Sequence, residues 1–143
     1  METTRIPAQV DQSVPMLRDE ECERIVLGSI ISNSQDWEST RQLLSVDSFY
    51  LPQHQEIYQA IVAEDEAGGR PDIVKVNAQL AKRGASIDPM YVMDLSMNRT
   101  LGSIESYAAR LYDLAVRRKF WHIAQRLLQG ALTELDDIAD IQQ

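Results

Sequence analysis

The feature that most constrains this chain is a long amphipathic helical pattern in its C-terminal third, whose apolar side changes midway. From Ser103, a good N-cap residue, apolar residues recur at helical spacing to about Leu132. On a wheel of about 100° per residue, two clusters lie on roughly opposite sides: Ile104, Tyr107, Leu111 and Leu114 in the first half, and Val116, Phe120, Ile123 and Leu127 in the second. One straight helix cannot bury opposite faces in one core. The first half is therefore predicted to pack on a globular head. The second half is predicted to project toward either a following antiparallel helix or a second subunit.

The preceding sequence is also helical in pattern, without convincing strand alternation. We expect helices at about 19–32, 36–44, 53–67, 74–83 and 88–97. Thr133–Asp137 is predicted to form a turn before a further helix that the end of the chain truncates. The fold class is therefore all-α: a compact head of about five to six helices, then a long helix entering an antiparallel helical hairpin. The predicted units are a flexible N-terminal arm (1–17), the head (18–115) and the hairpin, with a truncated second arm (116–143).

Charge and composition narrow the function classes. The 143 residues carry a net charge of −8, whereas a domain that binds DNA backbone by itself usually carries a basic excess. Five Lys/Arg against two Asp/Glu make residues 104–126 locally basic at +3, so the remainder carries −11. The single cysteine cannot form an internal disulfide, which favours a cytoplasmic setting. No apolar run approaches the roughly 18 residues of a membrane span.

The stretch RRKFW (117–121) raises the possibility of direct DNA binding, with cations for phosphates and rings for bases. On the wheel, however, the rings and most of the charge point to different sides. We interpret the apolar residues here as an interface in the hairpin or dimer: Val116, Phe120, Trp121, Ile123, Leu127 and Leu128. Arg117, Arg118 and Lys119 are predicted to meet solvent or an acidic partner.

Residues that could carry chemistry have simpler structural interpretations. The chain has no GxxxxGK[ST] loop, no GxGxxG and no GxSxG. The acidic residues at the first helix start are expected to be solvated, His54 to be a hydrogen-bonded structural histidine, and the methionines of the fifth helix to lie in the core. Neighbouring carboxylates should raise the pKa of Cys22, and Gly28 should mark a close helix approach. No catalytic residue, cofactor site or metal site is predicted.

Several segments together resemble a known family. Residues 21–31 read ECERIVLGSII, similar to E-A-E-x-x-V-L-G-x-[LI]-[LI], the opening helix of the N-terminal domain of DnaB-type bacterial replicative helicases. The resemblance continues, in family order, through LSVDSFY (44–50), QHQEIYQAI (53–61), PDIVKV (71–76), IESYA (104–108) and VRRK (116–119). Cys22 stands where Ala is usual and Lys75 where Thr is usual, and ASIDP (85–89) replaces a Gly-Gly.

The resemblance implies a non-catalytic collar domain that supports hexamer assembly through self-association and docks primase. It also implies action of a helicase loader, contact with DNA only indirectly through the ring, and a place in the cytoplasmic, nucleoid-associated replisome. The family's ATPase motor, which would use ATP and Mg²⁺, is absent from these residues. Two alternatives remain: a primase helicase-binding domain, or a stand-alone or phage adaptor of similar fold. A downstream reading frame with GxxxxGK[ST] would favour the helicase, whereas a stop codon would favour the adaptor.

Overall fold

The computed structural model describes residues 17–98 and 102–141, with side chains described to residue 133. Within these ranges the fold is all-α and contains no strand, as predicted. The elements are α1 (Glu20–Ser32), α2 (Ser34–Thr40), a 3₁₀ turn (Val46–Ser48), α3 (Pro52–Glu66), α4 (Ile73–Lys82), α5 (Pro89–Ser96) and α6 (Ile104–Ile141). The predicted N-terminal arm lies outside the described residues except for Leu17.

Local chemistry sets where the helices begin and end. The side chains of Asp19, Asn33 and Asp72 accept backbone N–H bonds at the starts of α1, α2 and α4, which satisfies donors that a helix leaves free. Proline opens α3 and α5, because its fixed φ suits the first helical turn. Gly84 has a φ of +71° just after α4, a conformation that ends a helix at little cost in glycine.

The second helix is shorter than predicted. Expected to reach residue 44, it ends at Thr40. The backbone N–H groups of Leu43 and Leu44 both turn back to the carbonyl of Thr40, at 3.0 Å each. This turn leaves Leu43 partly exposed and buries Leu44 in the core.

α1 is the central helix of the head, since it packs against α2, α3, α5 and α6. Its Val26, Leu27 and Ile30 are fully buried. The predicted close approach at Gly28 is confirmed: a Cβ there would lie 2.0 Å from the carbonyl oxygen of Leu95 and 2.5 Å from that of Asn98. Only a residue without a side chain lets α1 and α5 lie this close.

The methionines of α5 are not in the core, so that prediction was wrong. α5 packs inward through Val92, Leu95 and Ser96, which lie on the side of the helix opposite the methionines. Helical spacing alone correctly grouped the methionines on one face but could not say which of two apolar faces meets α1.

α6 is a single continuous helix of 38 residues, and the predicted turn at Thr133–Asp137 was wrong. Residues 133–137 contain no glycine or proline. The Thr133 hydroxyl donates to the carbonyl of Gln129 at 2.9 Å, a bond made within the helix itself. A second hairpin arm does not lie within the described residues and stays a prediction. None of the helices in the described ranges combines the length and apolar content that crossing a bilayer requires.

Candidate functional site

The projecting half of α6 carries apolar side chains that no described residue of this chain covers. In the first half of the helix, Ile104, Leu111 and Leu114 are buried against the head, as predicted. Beyond them the large apolar side chains are exposed: Phe120 by 67%, Ile123 by 50%, Leu127 by 70%, Leu128 by 57% and Leu132 by 57%. The predicted change of side at residues 115–119 is therefore confirmed, and it is the point where the helix leaves the head.

Two further residues of the predicted interface lie at the edge of this face. Val116 and Trp121 are half-buried, and the Trp121 ring lies edge-on to His122, with centroids 5.0 Å apart. The six predicted interface residues thus share one segment of helix beyond the head. Their role in an interface stays a prediction, because the exposure of Phe120, Ile123, Leu127 and Leu128 does not by itself show what packs on them.

Arg118 does not face solvent, so its predicted role as a contact for an outside partner was wrong. It is only 8% exposed. Its guanidinium donates to the backbone carbonyls of Leu17 at 2.7 Å and Asp47 at 3.0 Å, and lies over the Tyr50 ring, 5.7 Å from its centroid. Burial lowers the pKa of Arg118, and the nearby Glu23 carboxylate, Tyr50 and Asp47 oppose that shift. Arg118 therefore links α6 to two other parts of the chain: the residue Leu17 before α1, and the connector between α2 and α3.

The two flanking cations are exposed, as predicted. Arg117 pairs with Asp113 one turn earlier on α6 at 2.9 Å, and Lys119 reaches Asp47 at 3.8 Å. Lys119 and His122 also line a shallow cleft of about 290 Å³ between α6 and the connector. Exposed pairs of this kind contribute at most about 1 kcal/mol to stability, so both cations remain available to an acidic partner.

A buried hydrogen-bond network joins α1, α3 and α5. Glu23, predicted to be solvated, is fully buried. Its carboxylate accepts from the backbone N–H groups of Tyr50 at 2.7 Å and Leu51 at 3.4 Å, and lies 2.8 Å from His54 Nδ1. His54 Nε2 lies 2.6 Å from the hydroxyl of Tyr91. An ionised carboxylate only accepts, so in its bond to an ionised Glu23 the Nδ1 of His54 is the donor.

The structural interpretation of His54 is confirmed, whereas that of Glu23 is corrected. His54 and the Glu23 carboxylate are fully buried, so no substrate reaches them from solvent. The network instead fixes the start of α3 to α1. The sequence indicated the burial of Glu23, because it lies three, four and seven residues before Val26, Leu27 and Ile30, on the buried face of α1.

Cys22 is likewise buried and unsuited to act as a nucleophile. Its thiol is buried and donates to the carbonyl of Tyr107 at 3.3 Å. Burial raises the pKa of Cys22 to about 12, and Asp19 adds to this effect. The predicted direction of the shift is confirmed, but burial rather than neighbouring charge is its main cause. Within the described residues, no group of three or more His, Cys, Asp or Glu side chains could hold a metal ion.

Comparison with known proteins agrees with this architecture. Residues 16–113 match the model of the DnaB-like helicase N-terminal domain family. The chain is 29% identical over 145 aligned positions to the replicative DNA helicase DnaB of Pasteurella multocida, and 30% identical over 119 to that of Treponema pallidum. These alignments cover 95% and 80% of this chain but only 31% and 27% of those helicases. The chain thus spans less than a third of the curated relatives it matches.

Solved structures show the same fold. The N-terminal domain of DnaB helicase from Mycobacterium tuberculosis superposes with a TM-score of 0.77 at 26% identity, covering 82% of this chain and 86% of that one. The corresponding domain from Helicobacter pylori, whose structure was described with its interactions with primase, gives a TM-score of 0.70 at 19% identity. That match covers 84% of this chain and 95% of the other. By its sequence match and its helical architecture, this chain belongs to the DnaB-like helicase N-terminal domain family.

Proposed function

We propose that this chain is the collar domain of a replicative DNA helicase, which supports assembly of the hexamer and docks primase. It performs no catalysis and binds no cofactor of its own; ATP and Mg²⁺ belong to the motor domain of the longer protein. A helicase loader acts on that longer protein, and DNA meets this domain only indirectly, through the ring. The setting is the replisome at the bacterial nucleoid, in the cytoplasm.

The observation that carries the proposal is the exposed apolar face on the projecting half of α6. Burying a large aliphatic or aromatic side chain contributes about 1.5–3 kcal/mol relative to leaving it in water. Five such side chains, from Phe120 to Leu132, are half exposed or more. At about 100° per residue, Phe120, Ile123 and Leu127 share one face, while Leu128 and Leu132 extend the apolar surface round the helix. An apolar face of this kind on an otherwise polar helix favours packing against another helix, which supports self-association.

Docking of primase has weaker support, and it comes from the family. The Helicobacter pylori domain of the same fold was described with its interactions with primase. In this chain the exposed cations Arg117 and Lys119 lie beside the apolar face, so an acidic partner can add to contacts made there. Self-association is therefore the part of the proposal that is tested first.

The test replaces two side chains in the middle of the apolar face. Phe120→Asp with Leu127→Asp places two charges where a helix–helix contact would bury them, so the variant should stay folded and monomeric. The wild-type chain should gain mass with concentration. Light scattering across a concentration series measures both, and circular dichroism confirms folding.

A matched control carries the same added charge on the other side of α6. His122→Asp with Gln129→Asp lies on the same half of the helix, about 180° from Phe120 and Leu127, and both residues are exposed. This control should associate as the wild type does. Unchanged assembly of the Phe120/Leu127 variant, or a wild type that remains monomeric throughout, would contradict the proposal.

A further inference from the structure

A second exposed apolar surface lies on α5, away from the projecting half of α6. Met90, Met93 and Met97 are exposed by 57%, 46% and 79%. At about 100° per residue they lie within about 60° of one another on the helix. Val74, near the start of α4, is 77% exposed and lines the same cleft as Met97. These four residues form what is called here the methionine surface.

Two clefts flank the methionine surface. One, of about 440 Å³, lies between the ends of α1 and α5 and the start of α4, and is lined in part by Ile31, Val74 and Met97. The other, of about 360 Å³, lies at the start of α5 and is lined in part by Ile87 and Met90. An elongated partner lying along α5 could place one apolar side chain in each cleft and pack against Met93 between them.

The two clefts beside the methionine surface are lined by acidic and not by basic side chains. Asp72 lines the first cleft, and Asp88 and Asp94 line the second. Residues 84–98 contain these last two carboxylates and no lysine or arginine, and this stretch is flanked in sequence by Lys82, Arg83 and Arg99. Residues 18–98 as a whole contain seven lysines and arginines against fourteen aspartates and glutamates. A partner that covers the methionines therefore gains from positive charge at its edges.

The scaffold beneath the surface is closely packed and hydrogen-bonded. The missing side chain of Gly28 lets α5 lie directly against α1. The Ser32 hydroxyl donates to the carbonyl of Ser96 at 2.8 Å, and Tyr91 is held by His54. A surface fixed in this way loses little conformational entropy on binding, while the methionines themselves adapt to the shape of a partner.

We propose that the methionine surface docks a basic amphipathic helix of a partner protein. Flexible apolar side chains with an acidic rim match a helix that has one aliphatic face and lysine or arginine at its borders. The inference rests on the proposed role of this chain as a docking domain, and it names a surface separate from the apolar face of α6. The three aspartates disfavour an acidic partner at this site.

The test uses a synthetic peptide and the whole 143-residue chain. The probe is a fluorescein-labelled helical peptide of about 15 residues, with leucine along one face and lysine along its borders. Fluorescence anisotropy should show saturable binding. Met93→Gln with Met97→Gln should weaken binding about tenfold, since each change removes apolar contact. Asp94→Lys should weaken it further at low salt.

Matched controls separate a defined surface from diffuse charge attraction. Glu66→Lys makes the same change of charge at an exposed position at the far end of α3 and should leave binding within about twofold of wild type. A peptide with glutamate in place of lysine should not bind. If Met93→Gln with Met97→Gln binds as wild type does, or if Glu66→Lys weakens binding as much as Asp94→Lys, the inference is wrong.

The same variants distinguish this inference from the proposed function. Phe120→Asp with Leu127→Asp should bind the peptide normally even though it no longer self-associates. Light scattering of Met93→Gln with Met97→Gln should match wild type across the concentration series. Loss of assembly in that variant would identify a second copy of this chain as the occupant and overturn the assignment to a partner protein.

Discussion

At the scale of single residues, Gly28 sets the distance between two helices. A side chain there would meet the backbone of α5, with the carbonyl oxygen of Leu95 only 2.0 Å from the Cβ position. Backbone cannot move aside as a flexible side chain can, so α1 and α5 would have to separate. Any residue other than glycine at this position should therefore disturb the core of the head.

Gly28→Ala is expected to lower the free energy of unfolding by about 1–3 kcal/mol, the range typical of overpacked cores. Urea denaturation followed by circular dichroism measures the change. Gly130→Ala is the control, since an added Cβ there meets nothing within 4 Å and alanine is favoured over glycine in a helix by up to about 1 kcal/mol. A Gly28→Ala protein as stable as wild type would show that the helices are not held this close.

Cys22 offers a second test at this scale. With its pKa raised to about 12 by burial, the thiol is almost entirely protonated at pH 8, and the thiolate is the reactive form. Ellman's reagent should therefore label Cys22 slowly in the native protein and rapidly in denaturant. Native labelling should speed up only as the pH approaches 12 or as the protein unfolds. Rapid labelling of the folded chain at pH 8 would contradict the buried position.

At the scale of elements, Arg118 connects three parts of the chain that are distant in sequence. It reaches Leu17, which precedes α1, and Asp47 in the connector between α2 and α3. Its position on the helical wheel, with the buried apolar residues of the first half of α6, held a signal of its burial. Its charge alone predicted that Arg118 would face solvent. In the structure, two backbone carbonyls and the Tyr50 ring take the place of the water around its guanidinium.

Arg118→Ala should destabilise the head by about 2 kcal/mol, because it leaves two carbonyls without their charged donor. Arg117→Ala, which removes only an exposed pair with Asp113, should cost no more than about 0.5 kcal/mol. Urea denaturation compares the two neighbours directly. Hydrogen exchange should also speed up in the 46–50 connector of Arg118→Ala alone; equal effects of the two substitutions would refute this role of Arg118.

α5 shows how far periodicity carries a prediction for a short helix. The spacing of its methionines correctly predicted that they share a face. Val92 and Leu95, on the opposite side, are equally apolar and are the ones that α1 covers. With apolar residues on both sides of eight residues, the sequence does not distinguish core from surface. α5 therefore keeps a second apolar face exposed to solvent.

At the scale of the whole molecule, two exposed apolar surfaces lie on two different helices, α5 and the projecting half of α6. The face on α6 has cations beside it, Arg117 and Lys119, whereas the methionine surface on α5 is bordered by aspartates. Surfaces of opposite charge select different partners. α1 packs against both helices, so it links the two elements that carry these surfaces.

The sequence by itself determined the helical class, most helix boundaries and the point where α6 leaves the head. These follow from local chemistry: caps, prolines and the period of the apolar residues act within a few positions of one another. It also identified Gly28 as a close approach and His54 as a structural histidine, although not their partners.

Only the tertiary structure decided which polar groups are buried and which apolar groups are not. Glu23 and Arg118 are charged residues whose burial depends on backbone groups far away in sequence, at residues 47–51 and at Leu17. The methionines of α5 are apolar residues that stay exposed because the opposite face of the same helix packs against α1. Desolvation and hydrogen bonding are properties of the assembled chain, so no pattern within a single helix contains them.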